Sequence, residues 1–337
     1  MVIQDKNTEE QLYFVVEEAQ FNLGNYDKAI QMIEMTALTG ADAIEFQLAY
    51  ADDFYIRSEP GYAIYKTREF SDEQLQQMVT TAHQNQLHFV ATCLSYKLVS
   101  KMAAFGADAF NINASDINNP SIIDEVVKTK KPFFVSMPLA TTSEIQWVCN
   151  RIAQQDPNAC FAFLQGQHPM ASGHEFVNLE DTALGVMQHT QYQYQHTTGF
   201  IDHTPDLYTP AIAVAAGAQI VTKHLNLSHI IKGPDYQICL NPEQMKEAIM
   251  LARKVYRSIR VTIKELAKGE DLDRGVMRRS IVSTKAIQQG DVFTMDNLEF
   301  KRPGTGIPPS SIHSVLGKTS TQHIPSDCLL DQKMISK

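Results

Sequence analysis

Residues 199–224, GFIDHTPDLYTPAIAVAAGAQIVTKH, contain two short apolar runs that each end in a histidine. The first run, GFIDH, is typical of a strand and stops at Asp202 and His203. The second, QIVTKH, stops at Lys223 and His224. The segment between the two runs is long enough for a helix. The stretch therefore predicts a strand–helix–strand unit with charged groups at both strand ends.

The same unit recurs along the chain, because short apolar runs alternate with longer amphipathic segments. The predicted strands are YFVVE (13–17), AIEFQ (43–47), HFVATC (88–93), AFNIN (109–113), PFFVSM (132–137), CFAFLQ (160–165), GFIDH (199–203) and QIVTKH (219–224). Eight such units predict an α/β fold in which the parallel strands close into a (β/α)8 TIM barrel. An open doubly wound sheet would have a similar length, but no GxGxxG motif follows the first strand.

The pattern changes near residue 270. The helical segment 241–269 follows the last predicted strand, and the charged stretch EDLDRG comes after it. Beyond that, RRSIVSTKAIQQGDVFTMDNLEFKRPGTGIPP is typical of short β elements joined by tight turns. We therefore predict a barrel domain over residues 1–268 and a small, mostly β domain over residues 269–337.

Composition excludes several classes of function. Asp and Glu number 38 against 29 Lys and Arg, and no basic run offers a surface for nucleic acid or an anionic membrane. No apolar run approaches the length of about 18 residues that spans a bilayer. The five cysteines are scattered without CxxC spacing, as in reduced intracellular proteins. These features predict a soluble, cytoplasmic protein.

Polar side chains end nearly every predicted strand or follow it directly. They are Glu17, Glu45, Gln47, Thr92, Asn111, Asn113, Ser115, Asp116, Ser136, Gln165, His168, Asp202, His203, Lys223 and His224. In a barrel of this kind the active site lies at the carboxyl ends of the strands. Burying so many polar groups is costly unless they converge on a ligand site, so we expect one there.

His203 and His224 hold matching positions on the last two strands, which are neighbours in a closed barrel. Two imidazoles with a carboxylate nearby suit a divalent first-row metal such as manganese or zinc. Two unrelated core or capping histidines are the alternative. The matched placement at the strand ends favours a metal pair.

Seven motifs in this order along the chain carry a family resemblance. They are NASDINNP, KPFFVS, GFIDHT, KHLNL, GPDYQICLNP, RRSIV and KRPGTGI. Together they resemble the sialic acid synthase family over roughly residues 13–320. Enzymes of that family condense phosphoenolpyruvate with an N-acetylated hexosamine to give nine-carbon 2-keto-3-deoxy sugar acids.

The resemblance implies further properties. The small domain would be an antifreeze-like (SAF) domain, and the protein a homodimer in which Arg302 of a swapped SAF domain reaches the acceptor sugar. His203 and His224 would hold a divalent metal, for which we expect Mn²⁺, with Zn²⁺ or Mg²⁺ as alternatives. The family's first-strand glutamate corresponds to Glu17, and its glutamine after the second strand corresponds to Gln47.

This chain departs from the family at the donor site. The two lysines that bind phosphoenolpyruvate in the family correspond to Glu45 and Asn111, and a family serine corresponds to Ala114. Two positive charges are lost and one negative charge is gained, a change of about three charges that weakens the binding of a trianion. Lys223, Lys97 or Lys101 would have to restore the pocket.

Three functions remain open from the sequence. The chain is a sialic-acid-synthase-like enzyme of surface-carbohydrate biosynthesis, a metal-dependent aldolase-type enzyme with a pyruvate-like donor, or a non-catalytic sugar-binding paralogue. For an enzyme, the candidate catalytic residues are Glu17, Glu45 and Asp202. The candidate substrate-binding residues are Gln47, Thr92, Asn111, Asp116, Ser136, Lys223, Asp235 and Arg302.

Overall fold

The computed structural model describes residues 1–168, 176–227 and 235–337. The chain divides into two compact units, Met1–Val261 and Thr262–Lys337. Its strands are β1 (Val2–Ile3), β2 (Lys6–Asn7), β3 (Tyr13–Glu17), β4 (Ala43–Leu48), β5 (His88–Cys93), β6 (Ala109–Ile112), β7 (Phe133–Ser136), β8 (Phe161–Gln165), β9 (Thr197–Asp202), β10 (Ile220–His224), β11 (Ser280–Ser283) and β12 (Leu298–Lys301).

Strands β3 to β10 form a closed barrel in which each strand pairs in parallel with its neighbour in sequence and β10 pairs with β3. This confirms the predicted fold, with strand boundaries within about two residues of those expected from the apolar runs. Gly199 sits where β9 and β10 approach closely. A Cβ atom there would lie 2.5 Å from the carbonyl oxygen of Ile220, so a side chain would force the strands apart.

Successive side chains of each barrel strand point alternately inward and outward. Tyr13, Val15, Val90 and Phe134 are among the buried residues that fill the interior. The alternate positions, such as Phe14, pack against the surrounding helices in the larger core. Extending the inward set along β3 and β4 reaches Glu17 and Glu45, which pair in register. The strand period thus places both carboxylates at the inner, carboxyl-terminal end of the barrel.

Helices of the first unit surround the barrel. They are α1 (Tyr26–Thr39), α2 (Ala51–Phe54), α3 (Pro60–Lys66), α4 (Asp72–Gln84), α5 (Tyr96–Phe105), α6 (Pro120–Lys128), α7 (Thr142–Gln155), α8 (Gly185–Tyr194), α9 (Thr209–Ala215) and α10 (Pro242–Ile259). A capping box begins α4, because the Ser71 hydroxyl accepts from Gln74 N and the Gln74 side chain accepts from Ser71 N. Among the described helices, none is long and apolar enough to cross a membrane.

The second unit contains α11 (Glu270–Met277) and an antiparallel pair, β11 with β12. Its own small core includes Ile281, Phe293, Val315 and Ile324, all buried. Isolated bridges and turns connect the rest of this unit. This agrees with the predicted small β domain.

Candidate active site

A cavity of about 430 Å³, counting its open mouth, lies at the carboxyl ends of the barrel strands. Its lining residues are Glu17, Glu45, Gln47, Asn111, Asn113, Ala114, Ser136, Pro138, His168, Ile201, His203, His224 and Asp235. The structure thus brings eight of the candidate catalytic, substrate-binding and metal-binding residues into the wall of one cavity. This is where a barrel enzyme places its active site.

His203 and His224, from neighbouring strands, lie close together in the wall of this cavity. Their ring centroids are 5.1 Å apart, and a third ring, that of His168, lies 5.1 Å from His203. Both His203 and His224 are buried. Burial, with His224 and His168 nearby, holds the pKa of His203 well below its usual value, so this imidazole is neutral.

Glu17 pairs with His224, whose Nε2 lies 2.9 Å from Glu17 Oε2. Burial alone would lower the pKa of His224, but the Glu17 carboxylate outweighs it and raises that pKa to about 9. Burial likewise opposes ionisation of Glu17, and the charge of His224 reverses the effect and lowers the pKa of Glu17. The free site therefore favours an ion pair between the two side chains.

These residues fit a partial metal-binding set. Nδ1 of His203 and Nδ1 of His224 are buried, and neither has a hydrogen-bond partner within the described residues. Two imidazoles beside a carboxylate match the ligand types of manganese and zinc. Across residues 1–168, 176–227 and 235–337, no group of three or more His, Cys, Asp or Glu forms a complete metal centre. A metal held by the two histidines would need water or substrate oxygens to complete its coordination.

Two amide side chains, linked by hydrogen bonds, hold the other carboxylate oxygen of Glu17. Gln47 Nε2 donates to Glu17 Oε1 at 2.9 Å, and Gln20 Nε2 donates to Gln47 Oε1 at 2.7 Å. Arg68 in turn donates to Gln20 Oε1. Gln20 and Arg68 were missed by the sequence analysis, because both lie outside the strands and follow no strand-end pattern.

Glu45 is the centre of a second buried cluster. Its Oε1 accepts from Thr92 Oγ1 at 2.5 Å and from Asn111 Nδ2 at 2.7 Å. Ser136 Oγ donates to Asn111 Oδ1 at 3.0 Å, which orients that amide with its NH2 group toward Glu45. Glu45 Oε2 is buried and has no partner among the residues described. Burial and then the charge of Glu17 raise the pKa of Glu45 to about 7.

Asp202 and Lys223 do not line the cavity. Lys223 Nζ lies 3.0 Å from Asp202 Oδ2 and also donates to the carbonyl of Thr204, and both side chains are fully buried. The two other lysines considered for the donor are paired at the surface. Lys97 binds Asp53 at 2.6 Å, and Lys101 binds Asp72 at 2.6 Å.

The remaining candidates are dispersed. Asp116 accepts hydrogen bonds from Asn119 and Ser115 and does not contribute to the cavity wall. Asp235 does line the cavity, and burial raises its pKa. Arg302 belongs to the second unit, where it is exposed.

Comparison with known proteins agrees with this fold. Residues 32–264 match the NeuB family, and residues 278–336 match the SAF domain. The chain is 26% identical to an N,N'-diacetyllegionaminic acid synthase of Campylobacter jejuni, covering 94% of this chain and 98% of that protein. It is 23% identical to the human N-acetylneuraminate-9-phosphate synthase, covering 96% and 92%.

A solved structure supports the same fold. It is the N-acetylneuraminic acid synthetase of Leptospira borgpetersenii, which matches with a TM-score of 0.73 at 18% identity over 81% of this chain and 94% of that one. The family match covers more than half of the present sequence. This chain therefore belongs to the NeuB family and carries an SAF domain after its barrel.

Proposed function

We propose that this protein is a metal-dependent enzyme of surface-carbohydrate biosynthesis that joins a three-carbon donor to an amino sugar through a new carbon–carbon bond. The activities of its relatives support this reaction class, since those proteins are synthases of N,N'-diacetyllegionaminic acid, pseudaminic acid and N-acetylneuraminate 9-phosphate. The observation that carries the proposal is the buried group of His203, His224 and Glu17 in the cavity wall.

His203 and His224 would hold the divalent metal, with Mn²⁺ as our first choice. When bound, such an ion acts as a Lewis acid that polarises the carbonyl of an acceptor sugar. Glu17 is held at one oxygen by Gln47 and at the other by His224, so it can position the acceptor or move a proton without first reorienting.

A pyruvate-like donor is the second candidate, and Glu45 is the observation that favours it. Its Oε2 is free within the described structure, and its pKa, raised to about 7 by burial, suits a general base near neutral pH. In that reaction Glu45 would remove a proton from the donor methyl group, and the new bond would form without loss of phosphate.

Product analysis tests the proposal. The full-length chain with Mn²⁺ is given an N-acetylated hexosamine and either phosphoenolpyruvate or pyruvate, and mass spectrometry follows the 2-keto sugar acid. We expect that product with at least one donor, and release of phosphate separates the two donors. No product across a panel of acetamido sugars, from protein that holds its metal, would contradict an enzymatic function.

Metal content gives a direct test of the histidine pair. Replacing His203 or His224 by alanine removes one of two imidazole ligands, so we expect each variant to lose stoichiometric metal as measured by elemental analysis. His189→Ala is the matched control, since His189 lies on the exposed side of α8. Full metal content in both His203→Ala and His224→Ala would show that the pair is not the metal site.

The SAF domain gives a further prediction. On the family resemblance, we propose a homodimer in which Arg302 reaches the partner's barrel. A chain ending after Lys268 should then lose affinity for the sugar while its circular dichroism remains that of a folded barrel. Arg302→Ala in the full chain should weaken sugar binding in the same direction. Unchanged affinity in both, or a strictly monomeric full-length protein by light scattering, would oppose this arrangement.

A further inference from the structure

The charges around the cavity do not suit an anionic ligand at its inner end. Three carboxylates, Glu17, Glu45 and Asp235, contribute to its wall. Among the described residues that line it, none is lysine or arginine. The charge of Glu17 is matched by His224 at 2.9 Å, whereas Glu45 has hydrogen bonds from neutral groups. The side of the cavity that Glu45 forms is therefore negative or neutral.

Glu45 also presents a prepared hydrogen-bond acceptor. Thr92 and Asn111 both donate to Oε1, and Ser136 holds the Asn111 amide in that orientation. Oε2 of the same carboxylate receives no hydrogen bond within the described structure, although Glu45 is 1% exposed. Buried polar atoms in folded proteins are nearly always paired, so a free oxygen in a cavity wall is a site for a donor from a ligand or water.

We infer that the inner end of this cavity binds an unphosphorylated ligand group, a hydroxyl or an ammonium, that donates a hydrogen bond to Glu45 Oε2. The inference rests on the proposed function, whose donor or acceptor it assigns to a chemical class. A phosphate in the same place would bring negative oxygens against the Glu45 carboxylate, and the described residues that line the cavity include no lysine or arginine to offset that repulsion. Hydroxyl and ammonium groups can both donate a hydrogen bond to Glu45 Oε2, but only the ammonium group carries a positive charge.

A matched series of three-carbon compounds tests this. Glycerol, 2-amino-1,3-propanediol and glycerol 3-phosphate share a skeleton and carry a hydroxyl, an ammonium and a phosphate. Saturation-transfer NMR measures their dissociation constants with the full-length chain in Mg²⁺ buffer, at a pH above the pKa of Glu45. We expect glycerol and the amine to bind, and glycerol 3-phosphate to bind at least about tenfold more weakly than either. If the amine binds more tightly than glycerol, the ligand group is an ammonium. If the two dissociation constants are equal, it is a hydroxyl.

Two variants link the binding to Glu45. Glu45→Gln keeps the shape and removes the charge, so the dissociation constant of the amine should rise about tenfold to a hundredfold. Glu247→Gln, which removes an exposed carboxylate from α10, should leave it unchanged. Equal or tighter binding of glycerol 3-phosphate, an amine constant that does not respond to Glu45→Gln, or no binding by any of the three compounds would overturn the inference.

The outcome is separable from that of the proposed function, because these measurements involve no turnover. If the amine binds in a way that depends on Glu45 but the protein makes no 2-keto sugar acid, the proposed reaction is contradicted and the inferred ligand class is supported. Product from phosphoenolpyruvate together with tight glycerol 3-phosphate binding would support the proposed reaction and overturn the inferred ligand class.

Discussion

Phosphoenolpyruvate should bind this protein weakly or not at all, and two lysines should restore its binding. On the family resemblance, Glu45 and Asn111 correspond to the two donor-binding lysines, and in this structure Asn111 donates a hydrogen bond to Glu45. Each charge-assisted hydrogen bond to such an anion is worth about 1.5–3 kcal/mol. The double variant Glu45→Lys, Asn111→Lys should therefore bind phosphoenolpyruvate about 10²- to 10⁴-fold more tightly than the unaltered chain. Calorimetric titration into metal-loaded protein measures both constants.

A control must separate local chemistry from total charge. Glu247→Lys with Asn150→Lys changes the net charge by the same three units, but both positions are exposed on helices. We expect that surface variant to bind phosphoenolpyruvate about as weakly as the unaltered protein. Thermal melts of both double variants show whether each remains folded. Micromolar binding by the unaltered chain, with no gain from the two inner lysines, would restore phosphoenolpyruvate as the donor.

The three lysines considered from sequence for rescue of the donor site all have other partners in the structure. Lys97 and Lys101 form ion pairs with Asp53 and Asp72, and the Lys223 ammonium is buried against Asp202. Moving any of them would break an existing pair. The described wall of the cavity therefore contains no lysine or arginine that could bind a phosphate.

The barrel could be predicted because each strand is an apolar run of ordinary strand length between amphipathic helices. The β1–β2 hairpin could not, because each of its strands has two residues and leaves no periodic signal. Ile3 from this hairpin nevertheless packs with Tyr13 and Val15 in the barrel interior. This short hairpin therefore depends on tertiary contacts, which cannot be seen in a single sequence.

The sequence predicted where the candidate site lies, but it did not predict the hydrogen bonds among the site residues. Strand-end polarity led to Glu17, Glu45 and His224, which the structure places in one cavity wall. The Glu45–Asn111–Ser136 hydrogen bonds join residues from different strands, so they depend on barrel geometry that spacing along the chain does not contain. The sequence likewise does not show that polar residues predicted to bind a ligand form hydrogen bonds with one another.

Alternation along the strands separates Lys223 from His224. Lys223 pairs in register with Val16 and His224 with Glu17, so the two side chains of β10 point to opposite faces of the barrel wall. Applied strictly, the period of two would have placed Lys223 outside the cavity. Its pairing with Asp202 of β9 joins the two strands that end at the metal-binding candidates.

Breaking this buried pair should cause a large loss of stability. Lys223→Met leaves the Asp202 carboxylate buried without its cation, and removing one partner of a buried ion pair costs about 3–5 kcal/mol. Chemical denaturation of the variant should show that loss of unfolding free energy. Adding Asp202→Asn removes the stranded charge, so the double variant should recover much of the stability, and a double-mutant cycle gives the coupling between the two residues.

An exposed pair provides the control. Lys128 lies 2.6 Å from Glu125 with its side chain 63% exposed, so Lys128→Met should change stability little. The cycle also distinguishes two roles for Lys223, because a lysine that served the ligand alone would leave unfolding unaltered and weaken binding when replaced. A stable Lys223→Met variant with reduced ligand affinity would therefore reject the structural role. Loss of stability that Asp202→Asn relieves would instead assign Lys223 to holding β9 and β10 together, and with them His203 and His224.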